Sequence, residues 1–430
     1  MVGSLSIILA LVCFSIYAAV HIPLSAAITL WDETNEAWAD TPRSAPPAWT
    51  NLFRREKLPE TLVLPVGGAE PASEQLAEAM WRETSVLSFD YSFSTFPNEV
   101  DFHFEVAHGK LEPLVTLTWI KPDGTEIRLF RGNPEQSSRF RISRVIGMAS
   151  AFGAPRPVEG DAEPQTSGEA GDPGVMKGEY ALRIEAVTFE EGFAMSGRLV
   201  VRGSVYGLAG TDDDGRDLTI GLLWGAPIAL VFGLLATIGT TVFGFLIAAV
   251  GAWFGGWTDA AVHRLTEVSM MIPMLPFLIM VGKFYSSSLW VMLGIIIALG
   301  ILTGTVKSYR AMFLQVKNAP YIDAARAYGA SNARIIFRYL VPKLLPVLVP
   351  NLVLGIPRFV FLEASLAVLG IGDPVLPTWG KILSDGRAAL YLGHYHCVLE
   401  PAILLILTGL SFTMLGYVLD RVFNTGLRRI

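Results

Sequence analysis

Glu267, Arg358 and Glu363 are ionisable side chains inside apolar runs of this 430-residue chain. Charge inside an apolar span is costly, so each calls for a counter-ion or a wet cavity and marks a candidate pathway or gating position. Arg358 and Glu363 are five residues apart, about 140° around a helix, which keeps them from pairing with each other. Glu267 is therefore the candidate partner of Arg358. Glu363 reads more readily as a packing or gating residue than as a contact to a transported molecule. Pro357, two residues after Gly355, is placed to kink its segment as a hinge. Ion pairing and the lining of a polar path are the chemistry that these residues offer.

Covalent and metal chemistry find no such support. The chain holds no H-E-x-x-H, C-x-x-C or G-x-S-x-G. Glycine precedes Lys110, Lys283 and Lys381, yet none stands in the G-x-x-x-x-G-K-[ST] frame that cradles phosphates. No catalytic residue and no resident cofactor is expected. His394 and His396 beside Cys397 form a short cluster without the second set a metal site needs. His21 reads as a hydrogen-bonded residue at the edge of its apolar run, and Lys283 as a cation snorkelling to an interface. Cys13 and Cys397, the only cysteines, read as small apolar fillers.

The elements that must position these residues are membrane spans. Hydrophobic residues make up 52% of the chain and charged ones 17%, with mean hydropathy +0.45, a balance that disfavours a soluble enzyme. A spanning helix needs about 20 mostly apolar residues. Six stretches qualify, at residues 5–30, 220–250, 262–281, 290–306, 344–369 and 401–418. The first has a signal-peptide alternative, with "LSAA" at 24–27 as a cleavage region, but "MVGSLS" lacks the basic start such a peptide carries. Between the fourth and fifth stretches lie Lys307, Arg310, Lys317, Arg326, Arg334, Arg338 and Lys343 against the single acid Asp323. Retention of Lys and Arg on the cytoplasmic side puts that loop inside the cell. Arg421, Arg428 and Arg429 agree, so both termini are expected in the cytoplasm.

Residues 30–217 are of another kind, with 31 Asp and Glu against 18 Lys and Arg, whereas the rest of the chain has 8 against 15. On this orientation the acidic block lies outside the cell. Its Pro- and Gly-rich stretches at 41–49 and 153–174 read as linker or long loop. Alternation at 102–106, 114–120, 126–132, 180–189 and 197–207 predicts strands, with "KPDGT" at 121–125 closing a hairpin. The one helix expected here is "ASEQLAEAMWRE" at 72–83, with Ser73 as its N-cap. The block reads as a small β-rich domain whose scattered acids form a solvated surface or a docking face for another extracytoplasmic protein.

One cytoplasmic stretch has its own design. Asn318 is placed to cap a helix beginning at Ala319-Pro320, with Asp323 near the positive end of its dipole. Tyr321, Ala324, Ala325 and Tyr328 fall at i, i+3, i+4 and i+7, a face small in the middle and aromatic at both ends. Gly329 sits where a left-handed residue ends a helix. Ser331 or Asn332 then starts a second helix, and Pro342 breaks or redirects the backbone as the fifth span begins. Physically this is either an amphipathic loop on anionic headgroups or a docking helix.

The stretch resembles the "EAA" loop of ATP-binding-cassette importer permeases, through Asp323-Ala324-Ala325, Gly329, Ile335-Ile336 and Val341-Pro342. It departs from the commonest form with Asp323 for glutamate, Tyr339 where the peptide branch often has histidine, and Val341 for leucine. Further along the same likeness, "GTDDDGRD" at 210–217 is similar to the Gly-Thr-Asp-x-x-Gly-Arg-Asp ahead of the membrane core in dipeptide, oligopeptide and nickel importers; its matching residues are Gly210, Thr211, Asp212, Gly215, Arg216 and Asp217. "LEASLAVLGIG" at 362–372 and the following "PTWGKIL" resemble two more segments of that family. The resemblance covers about 207–430 and says nothing of 30–206.

It implies an all-α polytopic permease of about six transmembrane helices with the type I importer fold, made of a first span at 1–30 and a permease domain at 207–430, and interrupted by a β-rich extracytoplasmic domain at 31–206. It implies a coupling loop at about 318–342 whose Tyr321, Asp323, Ala324, Ala325, Tyr328 and Gly329 meet an ATPase subunit. The expected partners are a homologous second permease, two ATPases carrying the ATP and Mg, an extracytoplasmic binding protein and the lipid of a prokaryotic plasma membrane, with no nucleic acid. The expected function is import, of peptides first among the cargoes of that family, by alternating access. The alternative is a membrane-anchored sensor or docking protein working through its outer domain. A gradient-driven transporter would need paired broken helices in inverted repeats, which the sequence does not display.

Overall fold

A computed structural model describes residues 2–32, 35–66, 72–77, 80–107, 112–133, 137–153, 174–189 and 194–423. The interior of the expected linker or long loop at 153–174 lies outside these residues, as do Lys110, Arg428 and Arg429. Two compact units are present: Met1–Asn35 with Leu218–Ile430, and Glu36–Asp217. The first apolar run is broken rather than continuous. Helix α1 (Val2–His21) stops, and α2 (Leu24–Trp31) begins only after Pro23, which has no amide for the carbonyl four residues back. His21 meets the carbonyl of Tyr17 through Nδ1 at 3.2 Å.

The unit Glu36–Asp217 is built from antiparallel strands β1 (Leu62–Val66), β2 (Ala72–Ala77), β3 (Met80–Tyr91), β4 (Glu99–Ala107), β5 (Leu114–Ile120), β6 (Glu126–Gly132), β7 (Ser137–Arg141), β8 (Gly178–Thr188) and β9 (Ala194–Arg202). Short helices α3 (Ile142–Ile146) and α4 (Met148–Phe152) follow β7. One sheet has the order β1-β9-β4-β7, the other β2-β3-β8-β5-β6. Alternation does what the strand period requires: Val115, Leu117 and Trp119 of β5 point inward with Tyr180, Leu182 and Ile184 of β8, and meet Phe102, Phe104, Leu199 and Val201 of the other sheet in one core. The Trp119 indole donates to the Ala151 carbonyl at 3.0 Å, so its polar atom is satisfied inside that core. Strands β5 and β6 pair across the 121–125 turn, as the Pro-Asp-Gly signal predicts.

The helix expected at 72–83 does not form. Residues 72–77 are β2 and 80–83 open β3, with Ser73 opposite Glu83 rather than at a helix N-cap. Its Ala, Glu and Gln favour a helix locally, but β3 pairs with β8 continuously from Trp81↔Thr188 to Tyr91↔Gly178. That long register outweighs propensity, which is only a weak prior.

The other unit continues with α5 (Leu218–Phe254), α6 (Gly256–Met271), α7 (Met274–Phe284), α8 (Leu289–Gly300), α9 (Gly304–Lys317), α10 (Pro320–Ala327), α11 (Asn332–Ile335), α12 (Val341–Leu366), α13 (Trp379–Asp385), α14 (Arg387–Tyr391) and α15 (His396–Phe423). Among the described residues four helical runs are long and apolar enough to cross a membrane. Two more pairs, α6 with α7 and α8 with α9, bend by 69° and 44° at their breaks, and counting each as one span gives six. The predicted spans at 262–281 and 290–306 are therefore bent pairs; Pro273 and Thr303 stand at the N-caps of the second members.

Helix α5 packs closely against its neighbours because it is rich in small residues, which let backbones approach in a membrane. A Cβ on Gly225 would lie 2.2 Å from Trp379 Cδ1, and the Trp379 indole donates to the Leu222 carbonyl at 2.9 Å. Thr378 caps α13 by accepting from the Lys381 amide and donates its hydroxyl to Glu363 Oε1 at 2.7 Å. This hook fastens α13 to α12. Lys283 donates to the Gly370 carbonyl at 3.1 Å, tying α7 to the end of the α12 run.

Two stability outcomes follow, readable as thermal unfolding of the purified protein in detergent. Trp119→Ala should cost the sheet unit about 3–5 kcal/mol, whereas Val86→Ala, at a half-exposed site, should stay within about 0.5 kcal/mol. Thr378→Val should cost about 1–3 kcal/mol by stranding the Glu363 carboxyl, with Thr378→Ser close to the parent.

Candidate functional site: the short helix α10 and the polar cavity

The short helix α10 starts at Pro320, whose missing amide is harmless in a first turn. Its N-cap is Ala319, with no side-chain cap; Asn318 instead ends α9. Asp323 lies in the first turn, as the dipole favours. The C-terminal end closes as a Schellman turn: Ala330 N donates to Ala325 O, Gly329 N to Arg326 O, and Gly329 takes φ of 75°. Ser331, not Asn332, caps α11. Pro342 does not break the chain there. The helical run continues from Asn332 to Ile371, because a π-turn at Ile336–Leu340 just ahead of Pro342 changes the hydrogen-bond register.

Burial divides the expected docking face. Tyr321, Asp323, Ala324 and Tyr328 are exposed, Tyr328 at 92%, whereas Ala325 is buried at 8% and Ile322 completely. Tyr321, Ala324 and Tyr328 thus form the outward stripe at i, i+3 and i+7, and Ile322 and Ala325 form the inward one. Sequence periodicity put Ala325 on the outward side because it ranked small residues together; Ile322 is the residue that sets the rotation. Ile322 enters a cluster with Phe245, Trp253, Phe313, Ile335, Ile336 and Leu340.

Charged groups clamp this arrangement. The Arg326 guanidinium lies 4.4 Å from the centroid of the Trp253 ring, within reach of a cation–π attraction. Lys317 donates to the carbonyls of Ala252 and Trp253 at 2.9 and 2.7 Å, which satisfies the C-terminal end of α5. Arg310 on α9 grips both carboxylate oxygens of Asp259 on α6. Glu267, also on α6, lies 3.6 Å from Lys307 on α9 and 3.2 Å from both His263 and Arg264.

Glu267 is thus committed to these neighbours, and its expected pairing with Arg358 is replaced. A helical break at Ile272-Pro273 leaves Glu267 on the polar α6 rather than in an apolar span. Pro357 lies within α12 without interrupting it. Glu363 is 4% exposed and held by Thr378. Arg358 forms no ion pair among the described residues and lines a cavity of about 210 Å³ with Thr240, Thr241, Thr303, Tyr309 and Asn351.

The motif at 210–217 belongs to the sheet unit. Asp212 is buried and accepts from the amides of Asp214 and Arg216 and from Arg216 Nε at 2.6 Å. Burial pushes its carboxyl above the usual range while the Arg216 guanidinium opposes the shift. Thr211 Oγ1 donates to the Pro42 carbonyl at 2.7 Å and accepts from the Ala45 amide at 3.0 Å. Gly215, with φ of 83°, offers its carbonyl to the Thr41 hydroxyl at 2.6 Å. Asp217 bridges back to Thr211, and Gly210 at φ of 73° opens the turn. These residues form a clasp onto the 41–45 stretch, which is the long loop of the two readings and is pinned in place.

The sequence reading missed Trp253, Lys317, Thr378 and the polar lining at Thr240, Thr241 and Asn351. The last three carried a signal, since paired threonines and an asparagine inside apolar runs call for partners. Contacts of Trp253 and Lys317 depend on how four helices meet, which no local pattern encodes.

Residues 240–429 match the family described as "binding-protein-dependent transport system inner membrane component". The dipeptide transport system permease protein DppC of Alkalihalophilus pseudofirmus is 30% identical over 210 residues, 48% of this chain and 68% of that protein. The oligopeptide transport system permease protein OppC of Bacillus subtilis is 30% identical over 224 residues, 51% of this chain and 72% of that one. The peptidoglycan transport system permease protein YejE of Agrobacterium fabrum is 33% identical over 179 residues, 41% of this chain and 47% of its own length. With its apolar helices and a 30% identity that runs over two thirds of a curated relative, the chain belongs to the family of inner-membrane components of binding-protein-dependent transport systems.

Proposed function

We propose that the chain is the permease subunit of an ATP-driven importer for peptide-class cargo, coupled through α10 to separate ATPase subunits. The carrying observation is the two-sidedness of α10. Its outward stripe of Tyr321, Ala324 and Tyr328 is exposed, while Ile322 is locked into the cluster that joins α5, α9 and the start of α12. A push on the outward stripe is transmitted to those helices, since packed interiors move as units rather than deforming freely. Ala324 lets another surface approach closely, Asp323 offers it a charge, and Gly329 fixes the angle at which α11 leaves.

ATP and Mg belong on the partner ATPases, and this chain moves helices rather than making or breaking bonds. A second permease of the same family completes the path, and an extracytoplasmic binding protein delivers the cargo. Alternation between two helix arrangements follows if nucleotide binding on the ATPase favours one of them. The basic loop around α10 supports a cytoplasmic position for that helix and both termini, and with it an outer position for the unit Glu36–Asp217. Peptide cargo is favoured by the dipeptide and oligopeptide names of the relatives. Family membership disfavours the sensor reading, which would make the helices mere anchors.

Co-purification of the ATPases with the permease from membranes tests the coupling. Ala324→Arg, on the exposed stripe, should lower recovered ATPase at least about tenfold, as a buried interfacial charge commonly does, and leave the permease monodisperse. Ala325→Arg should instead lower the yield of folded permease, because it forces a charge into the chain's own interior. Full ATPase recovery with Ala324→Arg would overturn the docking role of this stripe.

A further inference from the structure

Arg358 is the one side chain of α12 whose chemistry nothing above employs. It sits about 25 Å along the helix from Val341 at 1.5 Å per residue, well inside a span. Its described surroundings contain no ion pair for it; its guanidinium lies 5.8 Å from the centroid of the Phe359 ring. Both carboxylates close to it in the sequence reading are engaged elsewhere, Glu363 by Thr378 and Glu267 by His263, Arg264 and Lys307.

Among the described residues, the lining of the cavity that Arg358 shares contains no acid. Its polar lining is hydroxyl and amide: Thr240, Thr241, Thr303, Thr305, Tyr309 and Asn351. Asn351 Nδ2 donates to the Tyr309 hydroxyl at 3.1 Å, which leaves the phenolic proton free to be donated toward the cavity. A guanidinium held in a span without a counter-charge, facing neutral groups that can donate, is arranged for an anion arriving from outside the chain. Its planar fork suits a carboxylate, which it can hold through two parallel hydrogen bonds.

We propose that the Arg358 cavity binds the carboxylate of the cargo during its passage, so that this subunit selects for a free carboxyl end. This rests on the reading of the chain as a peptide importer subunit and deepens it by naming the chemical group that is recognised. The cavity accommodates the end of a molecule rather than a whole peptide, which makes it a waypoint for one terminus. Thr303, Tyr309 and Asn351 orient the carboxylate, and Arg358 supplies the charge.

The test uses the complete importer in proteoliposomes, with Thr305→Cys, on the cavity lining but outside the orienting set, as a reporter in a Cys13→Ser background. Maleimide labelling of that cysteine is followed in the presence of dialanine or dialanine amide. Dialanine should protect at about tenfold or more lower concentration than the amide, the factor that a charge-assisted pair contributes. Arg358→Gln should erase that difference and Arg358→Lys should keep part of it. Equal protection by acid and amide with Arg358 in place overturns the proposal, whether or not Arg358→Gln folds. So does a difference that survives in a folded Arg358→Gln protein, since Arg358 would then serve another contact, such as an acid of the second permease. Uptake of labelled dialanine, measured in parallel, separates the two readings: acid-selective protection without any peptide uptake would remove the peptide cargo and leave the carboxylate site standing.

Discussion

Burial of Ile322 is the contact on which the α10 end of the membrane unit depends. This side chain has no solvent exposure and sits among Phe245, Trp253, Phe313, Ile335, Ile336 and Leu340. A short helix such as α10 is far below the length at which helices hold themselves together in water. It persists because Ile322 and Ala325 are buried, Arg326 rests on Trp253, and the Schellman turn at Gly329 stops it cleanly. Remove the buried stripe and the exposed one has nothing to stand on. The same contact gives α10 its mechanical meaning, since whatever holds Tyr321, Ala324 and Tyr328 also holds the ends of α5 and α9.

A second set of contacts fixes the helices in the membrane, where apolar side chains gain little from meeting one another instead of lipid. Close approach and polar hooks do the work there. Trp379 fits against α5 because position 225 carries no Cβ, and Thr378 joins α13 to Glu363 while capping its own helix. Ion pairs between α6 and α9, at Asp259–Arg310 and Glu267–Lys307, secure the polar ends of the two bent pairs. Arg358 stands apart from both sets: it lines the cavity with Thr240, Tyr309 and Asn351 and forms no ion pair among the described residues.

Sequence carried some of this and not the rest, for reasons that differ by element. Strands β5 and β6 were legible because strict alternation and a Pro-Asp-Gly turn are local signals, and both ranges coincide with the structure. Residues 72–83 misled because Ala, Glu and Gln favour a helix locally, whereas the pairing of β3 with β8 is set a hundred residues away. The apolar runs were visible, but the breaks at Pro23 and Pro273 were not weighed against them. In α10 the 3.6-residue period was correct and its phase was not, since Ile322 outweighs Ala325 in choosing the buried side. Glu267 was assigned by charge alone; its partners at Lys307 and His263 emerge only once α6 lies beside α9.

The claim at the centre of this account is that one side of α10 meets an ATPase while the other side belongs to the permease. The most direct measurement places a photo-crosslinking residue at position 328 in one protein and at position 322 in another, and irradiates membranes containing the whole importer. Crosslinking from 328 to a nucleotide-binding subunit, with 322 reaching only the permease itself, is the result expected. Capture of the ATPase from 322, or from neither position in a folded protein, would contradict the account.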